Sequence, residues 1–154
     1  MALLNRFVPN YFSFEKEFDF NQLAQLTTQV QTKSYHSSEY SIDIVLHGTF
    51  RITGLETYPF FQGLLAELEN DFNPSKLKHN LHLYFNLIPG GSSDIHTDPY
   101  TVYIYGLKGQ TVYRIDGEKF IVNPNDLLRI DPGKIHQAIA TDARIVLSWG
   151  MYDN

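Results

Sequence analysis

The spacing of apolar residues changes period along the chain. Over residues 19–30, Phe20, Leu23, Leu26 and Val30 recur at helical spacing, with Asp19 or Asn21 placed to cap the element. Over residues 59–72, Phe60, Leu64, Leu65, Leu68 and Phe72 repeat the stripe; Glu56 or Thr57 precedes it and Asn73-Pro74 ends it. Between the two, residues 41–53 alternate around Ile42, Ile44 and Leu46 and then Phe50 and Ile52, which predicts a hairpin turning at His47-Gly48.

After Lys78 the period becomes that of strands, expected at 79–87, 100–107, 110–115, 119–122, 126–130, 135–140 and 143–150. Lys108-Gly109, Asp116-Gly117, Asn123-Pro124-Asn125, Asp131-Pro132-Gly133 and Thr141-Asp142 punctuate them, residues that favour turns through glycine's access to positive φ or proline's fixed φ. So many short strands in succession predict a mainly β sandwich, barrel or jelly roll. In 79–87 the odd positions Leu81, Leu83, Phe85 and Leu87 are apolar and the even ones are His82, Tyr84 and Asn86. One face is core; the other is either solvated or turned inward in a barrel.

Composition narrows the function classes. The 154 residues read as one domain, 1–154, with helices and a leading hairpin in 1–78 and the β core in 79–154; no repeat or linker marks a boundary. There is no cysteine, which excludes disulfides, thiolate metal sites and a cysteine nucleophile and fits a cytoplasmic setting. The absence of any long apolar run argues against a membrane span. A net charge of −5 with scattered basic residues argues against a nucleic-acid partner.

His96, Asp98 and His136 carry the candidate chemistry. On a strand, residues i and i+2 project to the same side, about 7 Å apart at Cα, so one ion can bridge His96 and Asp98. A third ligand from His136 completes a two-histidine, one-carboxylate facial set that leaves coordination positions open, as in mononuclear iron oxygenases. The same donors also accept Zn, Mn, Co and Ni. His79 and His82, three apart on a strand, point to opposite faces and are expected to be structural or exposed. His36 and His47, with only Glu39 and Asp43 nearby, are expected on the surface. Phe12, Phe14, Phe18, Phe60 and Phe61 are expected to pack in the core.

Residues 109–136, from Gly109 through the Ile115-Asp116-Gly117-Glu118 hairpin to Asn125-Asp126-Leu127-Leu128-Arg129-Ile130-Asp131-Pro132-Gly133-Lys134-Ile135-His136, resemble the cupin pattern. Asn125 stands where that family usually has glycine, and Asp131 where it usually has proline. The stretch from Pro89-Gly90-Gly91 through His96-Thr97-Asp98 to Lys108-Gly109 resembles the JmjC-like hydroxylases of the same superfamily. The resemblance covers roughly residues 80–150. It implies a double-stranded β-helix (jelly roll) with two or so buttressing helices, and a metal at the barrel mouth. It further implies an Fe(II)/2-oxoglutarate-dependent oxygenase that uses O₂, turns 2-oxoglutarate into succinate and hydroxylates a protein side chain or small molecule.

The distal carboxylate of 2-oxoglutarate needs a cation. Many JmjC-like enzymes place one where this chain has Thr111. Related branches use an arginine on the strand after the second histidine, which here is Arg144. The resemblance also implies cosubstrate contacts from Tyr84 and Asn86 and a hydroxyl donor from Thr111. Two alternatives remain open: a cupin metalloenzyme, an isomerase or dioxygenase working without 2-oxoglutarate, or a non-catalytic jelly-roll binding module, since fold does not fix function. Substrate selection is expected from the amino-terminal half, from rim loops such as 91–94, or from an oligomer interface.

Overall fold

Both apolar stripes fold as helices. The computed structural model describes residues 6–34, 40–46 and 48–152, in which α1 spans Phe20–Ser34 and α2 spans Gln62–Phe72. The expectation for His36, Glu39 and His47 falls on residues outside this range. Asp19 caps α1: its Oδ1 accepts the backbone N–H groups of Asn21 (3.0 Å) and Gln22 (3.1 Å), donors that a first helical turn leaves free. The expected cap of α2 by Glu56 or Thr57 is not formed. A 3-10 turn over Pro59–Phe61 leads into α2 without a side-chain cap, and the Glu56 carboxylate instead accepts the Leu81 N–H at 3.1 Å.

The strands are β1 (Phe7–Val8), β2 (Ser41–Leu46), β3 (Thr49–Thr53), β4 (Lys78–Asn86), β5 (Thr101–Lys108), β6 (Thr111–Ile115), β7 (Glu118–Val122), β8 (Leu127–Ile130), β9 (His136–Ala140) and β10 (Arg144–Tyr152). Every strand expected after Lys78 is present. Leu87, expected on the core face, falls beyond the end of β4 and is exposed. β1 was not expected: two residues carry no period, and it exists because it pairs with β8.

Among the described residues the strands form two sheets, antiparallel throughout. The larger runs β1-β8-β5-β10-β4-β3-β2 and the smaller β7-β6-β9. Residues 91–96 extend the smaller sheet through isolated bridges, Ser92 to Ile139 and His96 to His136. The result is a mainly β jelly roll with the helices outside the larger sheet. Two glycine-dependent turns fix its corners. Asp116 (φ 48°) and Gly117 (φ 82°) make the two-residue turn that joins β6 to β7. Gly109 (φ 67°) passes so close to the Ala143 carbonyl that a Cβ there would collide with it.

Strand alternation divides the larger sheet into two surfaces. Leu81, Leu83 and Phe85 of β4 and Ile145, Leu147 and Trp149 of β10 face outward, into a core shared with Leu23, Leu26, Leu64 and Leu68 of the helices. Phe18 and Phe61 are buried in that core, with Phe12, Phe14 and Phe60 packed against it. Each fully buried side chain of this kind contributes roughly 1.5–3 kcal/mol. The inward surface is mixed. Val102, Ile104, Leu128 and Val146 meet Tyr113, Ile115 and Ala138 of the smaller sheet to form a second core, and polar residues occupy the remaining inward positions.

Candidate metal centre

His96, Asp98 and His136 converge. Their candidate ligand atoms all lie within 4.8 Å of one another; Asp98 Oδ2 is 3.7 Å from His96 Nε2 and 3.3 Å from His136 Nε2. The regular strand expected under His96 and Asp98 is absent. His96 sits on a single bridge, donating its N–H to the His136 carbonyl (3.1 Å) and accepting the His136 N–H (2.9 Å). The two rings thus come from directly opposed residues, with centroids 4.2 Å apart. Asp98 follows in an irregular segment, where its backbone carbonyl accepts the Gly133 N–H (2.9 Å), so the loop before His136 also anchors the backbone that carries the carboxylate.

The histidines are held in one tautomer. Nδ1 of His96 lies 2.8 Å from the Asp94 carbonyl and Nδ1 of His136 lies 2.9 Å from the Lys134 carbonyl. A carbonyl only accepts, so each Nδ1 carries a proton and each Nε2 faces the centre, donating toward Asp98 while the ring is protonated and offering a lone pair once it is neutral, the form that ligates metal. The hydrogen bond from His136, aided by the charge of His96, holds the Asp98 carboxyl below the usual carboxylate range against an opposing effect of burial. Burial pulls the His136 pKa down, but the Asp98 carboxylate and the Lys134 carbonyl outweigh it and leave the pKa raised. Once both imidazoles are neutral, they and the carboxylate fit a divalent ion and leave part of its coordination sphere open.

The triad opens onto a cavity of about 350 Å³ between the sheets, which Arg144 also lines. Arg144 is only 1% exposed. Its Nε donates to Asn86 Oδ1 at 2.7 Å, the Tyr113 hydroxyl is a further hydrogen-bond partner, and Nη1 is buried without a partner. Burial, partly offset by Tyr113, lowers its pKa. No described carboxylate forms an ion pair with it.

Comparison with known proteins fits this architecture. Residues 83–149 match the cupin domain family, a segment that runs from the middle of β4 to β10 and includes the whole triad. The match covers the β core and leaves the amino-terminal half outside it. No curated protein matches the sequence. Among solved structures, YcfD, a ribosomal oxygenase from Escherichia coli in complex with cobalt and 2-oxoglutarate, is similar with a TM-score of 0.75 at 18% identity, covering 99% of this chain and 51% of that one. The same protein with cobalt and succinic acid gives 0.63 at 20% identity, covering 69% and 32%. An RmlC-like cupin from Shewanella frigidimarina gives 0.54 at 14% identity, covering 75% and 86%. At these identities the likeness is one of fold. This chain spans about half or less of the YcfD chain.

Within the barrel the other singled-out residues separate. Tyr84 lines the cavity, its phenol pKa raised by burial and moderated by Arg51. Asn86 and Thr111 are not part of the wall. The Asn86 amide is used by Arg144 and Thr49, and Thr111 is enclosed between its partners Val122 and Ala140, its hydroxyl unpaired. His82, expected to be structural or exposed, faces the cavity with a buried, unpartnered Nδ1, whereas His79 is structural, bonded to Glu69 and Trp149. Ser93 and Asp94 of the 91–94 loop form rim.

Sequence reasoning missed three residues. Arg51 lines the cavity while paired through two hydrogen bonds to Asp43 (2.7 and 3.1 Å), Tyr113 lines it from the smaller sheet, and Thr49 holds Asn86. Only the alternation of β6, which puts Tyr113 on the same face as Thr111 and Ile115, carried a signal. Among the described residues no helix is long and apolar enough to cross a membrane.

Proposed function

We propose that the protein is an Fe(II)- and 2-oxoglutarate-dependent oxygenase that hydroxylates a protein side chain or a small molecule in the cytoplasm. The observation that carries this reading is Arg144: a buried guanidinium with a free Nη1 and, among the described residues, no carboxylate partner, lining the same cavity as the His-Asp-His set. An uncompensated buried charge costs several kcal/mol, so this position calls for an anion. The cobalt and 2-oxoglutarate in the YcfD complex give the matching ligand pair.

His96, Asp98 and His136 would hold the metal, and Arg144, whose planar fork suits a carboxylate, would hold the distal end of 2-oxoglutarate, with the Tyr84 and Tyr113 hydroxyls beside it. Iron and 2-oxoglutarate together supply the oxidising power for attack on a C–H bond. The protein's own part is positional. The Asp94 and Lys134 carbonyls aim the two Nε2 atoms, and the apolar floor of Val102, Ile104 and Ala138 excludes water. The rim at Ser93 and Asp94 is where substrate enters.

Anaerobic titration of the Fe(II) protein with 2-oxoglutarate tests the reading. A metal-to-ligand charge-transfer band should appear in the wild type and be lost in Arg144→Met with metal binding retained. The neutral residue Thr111, at the position where the JmjC-like hydroxylases carry their cation, favours a second reading: a cupin metalloenzyme, an isomerase or dioxygenase, that does not use 2-oxoglutarate. Metal-dependent turnover that survives Arg144→Met would select it. Biological activity that survives His96→Ala would select a non-catalytic binding module.

A further inference from the structure

Besides Arg51, which lines the cavity directly, the amino-terminal hairpin reaches it through a fully buried hydrogen-bonded path. Arg144 Nε donates to Asn86 Oδ1 (2.7 Å), and Asn86 Nδ2 donates to Thr49 Oγ1 (2.9 Å). All three residues are about 1% exposed, so no solvent competes for these bonds. The path runs straight across three strands. Arg144 and Asn86 are register partners of β10 and β4, and because Phe50 pairs with Phe85, Thr49 comes level with Asn86 at the start of β3. Sequence separations of 58 and 37 residues are closed by strand order alone.

Each bond has a defined chemical sense. A guanidinium N–H can only donate, so Asn86 must turn its carbonyl toward Arg144. That leaves the NH₂ facing Thr49, whose hydroxyl oxygen accepts it. Without this acceptor, the amide would keep a buried unpaired NH₂ and lose the contact that opposes its rotation. With it, Nε is committed and the guanidinium plane is fixed, while Nη1 stays free.

We propose that Thr49 and Asn86 are positioning residues, a relay by which the β2–β3 hairpin fixes the orientation of the Arg144 guanidinium for an incoming carboxylate. The ligand named here rests on the oxygenase reading above; the relay itself does not. Thr49 lies outside the matched segment and outside the cavity wall, and the relay gives it a share in cosubstrate binding without contact with the cosubstrate.

The test uses the full chain, the Nε–H signal of Arg144 in an ¹⁵N arginine side-chain spectrum (assigned by its loss in Arg144→Met), and the affinity of the cobalt-loaded protein for 2-oxoglutarate. Thr49→Val, which keeps shape and removes the acceptor, should speed Nε–H exchange and weaken 2-oxoglutarate binding, each by about five- to tenfold, the size expected for one buried hydrogen bond. Cobalt affinity should not change. Thr49→Ser should restore both properties. Asn86→Asp keeps the acceptor but sets a negative charge against the guanidinium, so Nε–H should stay protected while 2-oxoglutarate binding falls further than in Thr49→Val. Exchange and affinity within twofold of wild type in Thr49→Val would overturn the relay. So would Thr49→Ser behaving as Thr49→Val does, because that is a packing role. If the wild type binds no 2-oxoglutarate, the oxygenase reading falls and Nε–H exchange alone decides the relay.

Discussion

The two surfaces of the larger sheet are made by the same strands, yet they do opposite work. Along β10, Ile145, Leu147 and Trp149 point outward into the helices, while Arg144, Ser148 and Gly150 line the cavity and Val146 joins the inner core. Outward residues bury apolar surface and little else. Inward residues include a cation with a free donor and, on the neighbouring β4, a histidine with an unpaired nitrogen. A slip of one residue in register would exchange the two sets, so the heavily apolar outer surface is what holds the inner one in place. Stability and chemistry thus occupy adjacent residues of one strand and remain separable.

That separation can be broken in order of effect. Trp149→Ala, on the outer surface, should cost about 3–5 kcal/mol, read as a fall in urea midpoint at constant slope. His136→Ala, at the mouth, should weaken Co(II) binding by at least about a hundredfold in calorimetric titration while the metal-free protein keeps its stability to within about 1 kcal/mol. Arg144→Met should weaken 2-oxoglutarate binding by about tenfold or more and leave the urea midpoint at or above wild type, because a buried charge is removed with its bulk retained. If Arg144→Met destabilised the fold as Trp149→Ala does, the inner surface would be structural after all.

The smallest effect is that of pH on the metal-free protein. The His136 pKa is raised, so its contribution to stability is full below about 6.5 and is lost as pH rises through the raised value. Asp98 is depressed, so its contribution is present above about 3.8 and is lost as pH falls through the lowered value. Thermal midpoints should therefore show a pair-dependent gain between those limits that Asp98→Asn abolishes. Metal uptake near pH 6.5 should release a proton from His136, seen as a buffer-dependent heat.

Local constraints were the legible ones. Helical and strand periods located both helices and the strands from β4 to β10 because each depends on neighbours in sequence. The His96-x-Asp98 pair was legible for the same reason, although its strand proved to be a single bridge followed by an irregular segment. The even residues of β4 were legible as a polar face, but whether that face met solvent or cavity depended on barrel closure, which turns His82 to the cavity and sets Asn86 between Arg144 and Thr49. Arg51, Tyr113 and Thr49 were not legible. They reach the site through the order β3-β4-β10 and the facing of the two sheets, which no local pattern encodes. Leu87 shows the complementary failure: alternation continued one residue beyond the strand that gave it meaning.

The reciprocal backbone bonds between His96 and His136 mean that the two imidazoles placed to hold an ion also belong to the residues that pin the 91–96 segment to β9. A local opening wide enough to separate the imidazoles must first unpair those two amides. Release of a bound ion and fraying of the barrel mouth would then share one barrier, and the ion's off-rate would follow amide exchange at 96 and 136 rather than the strength of any single metal–ligand bond.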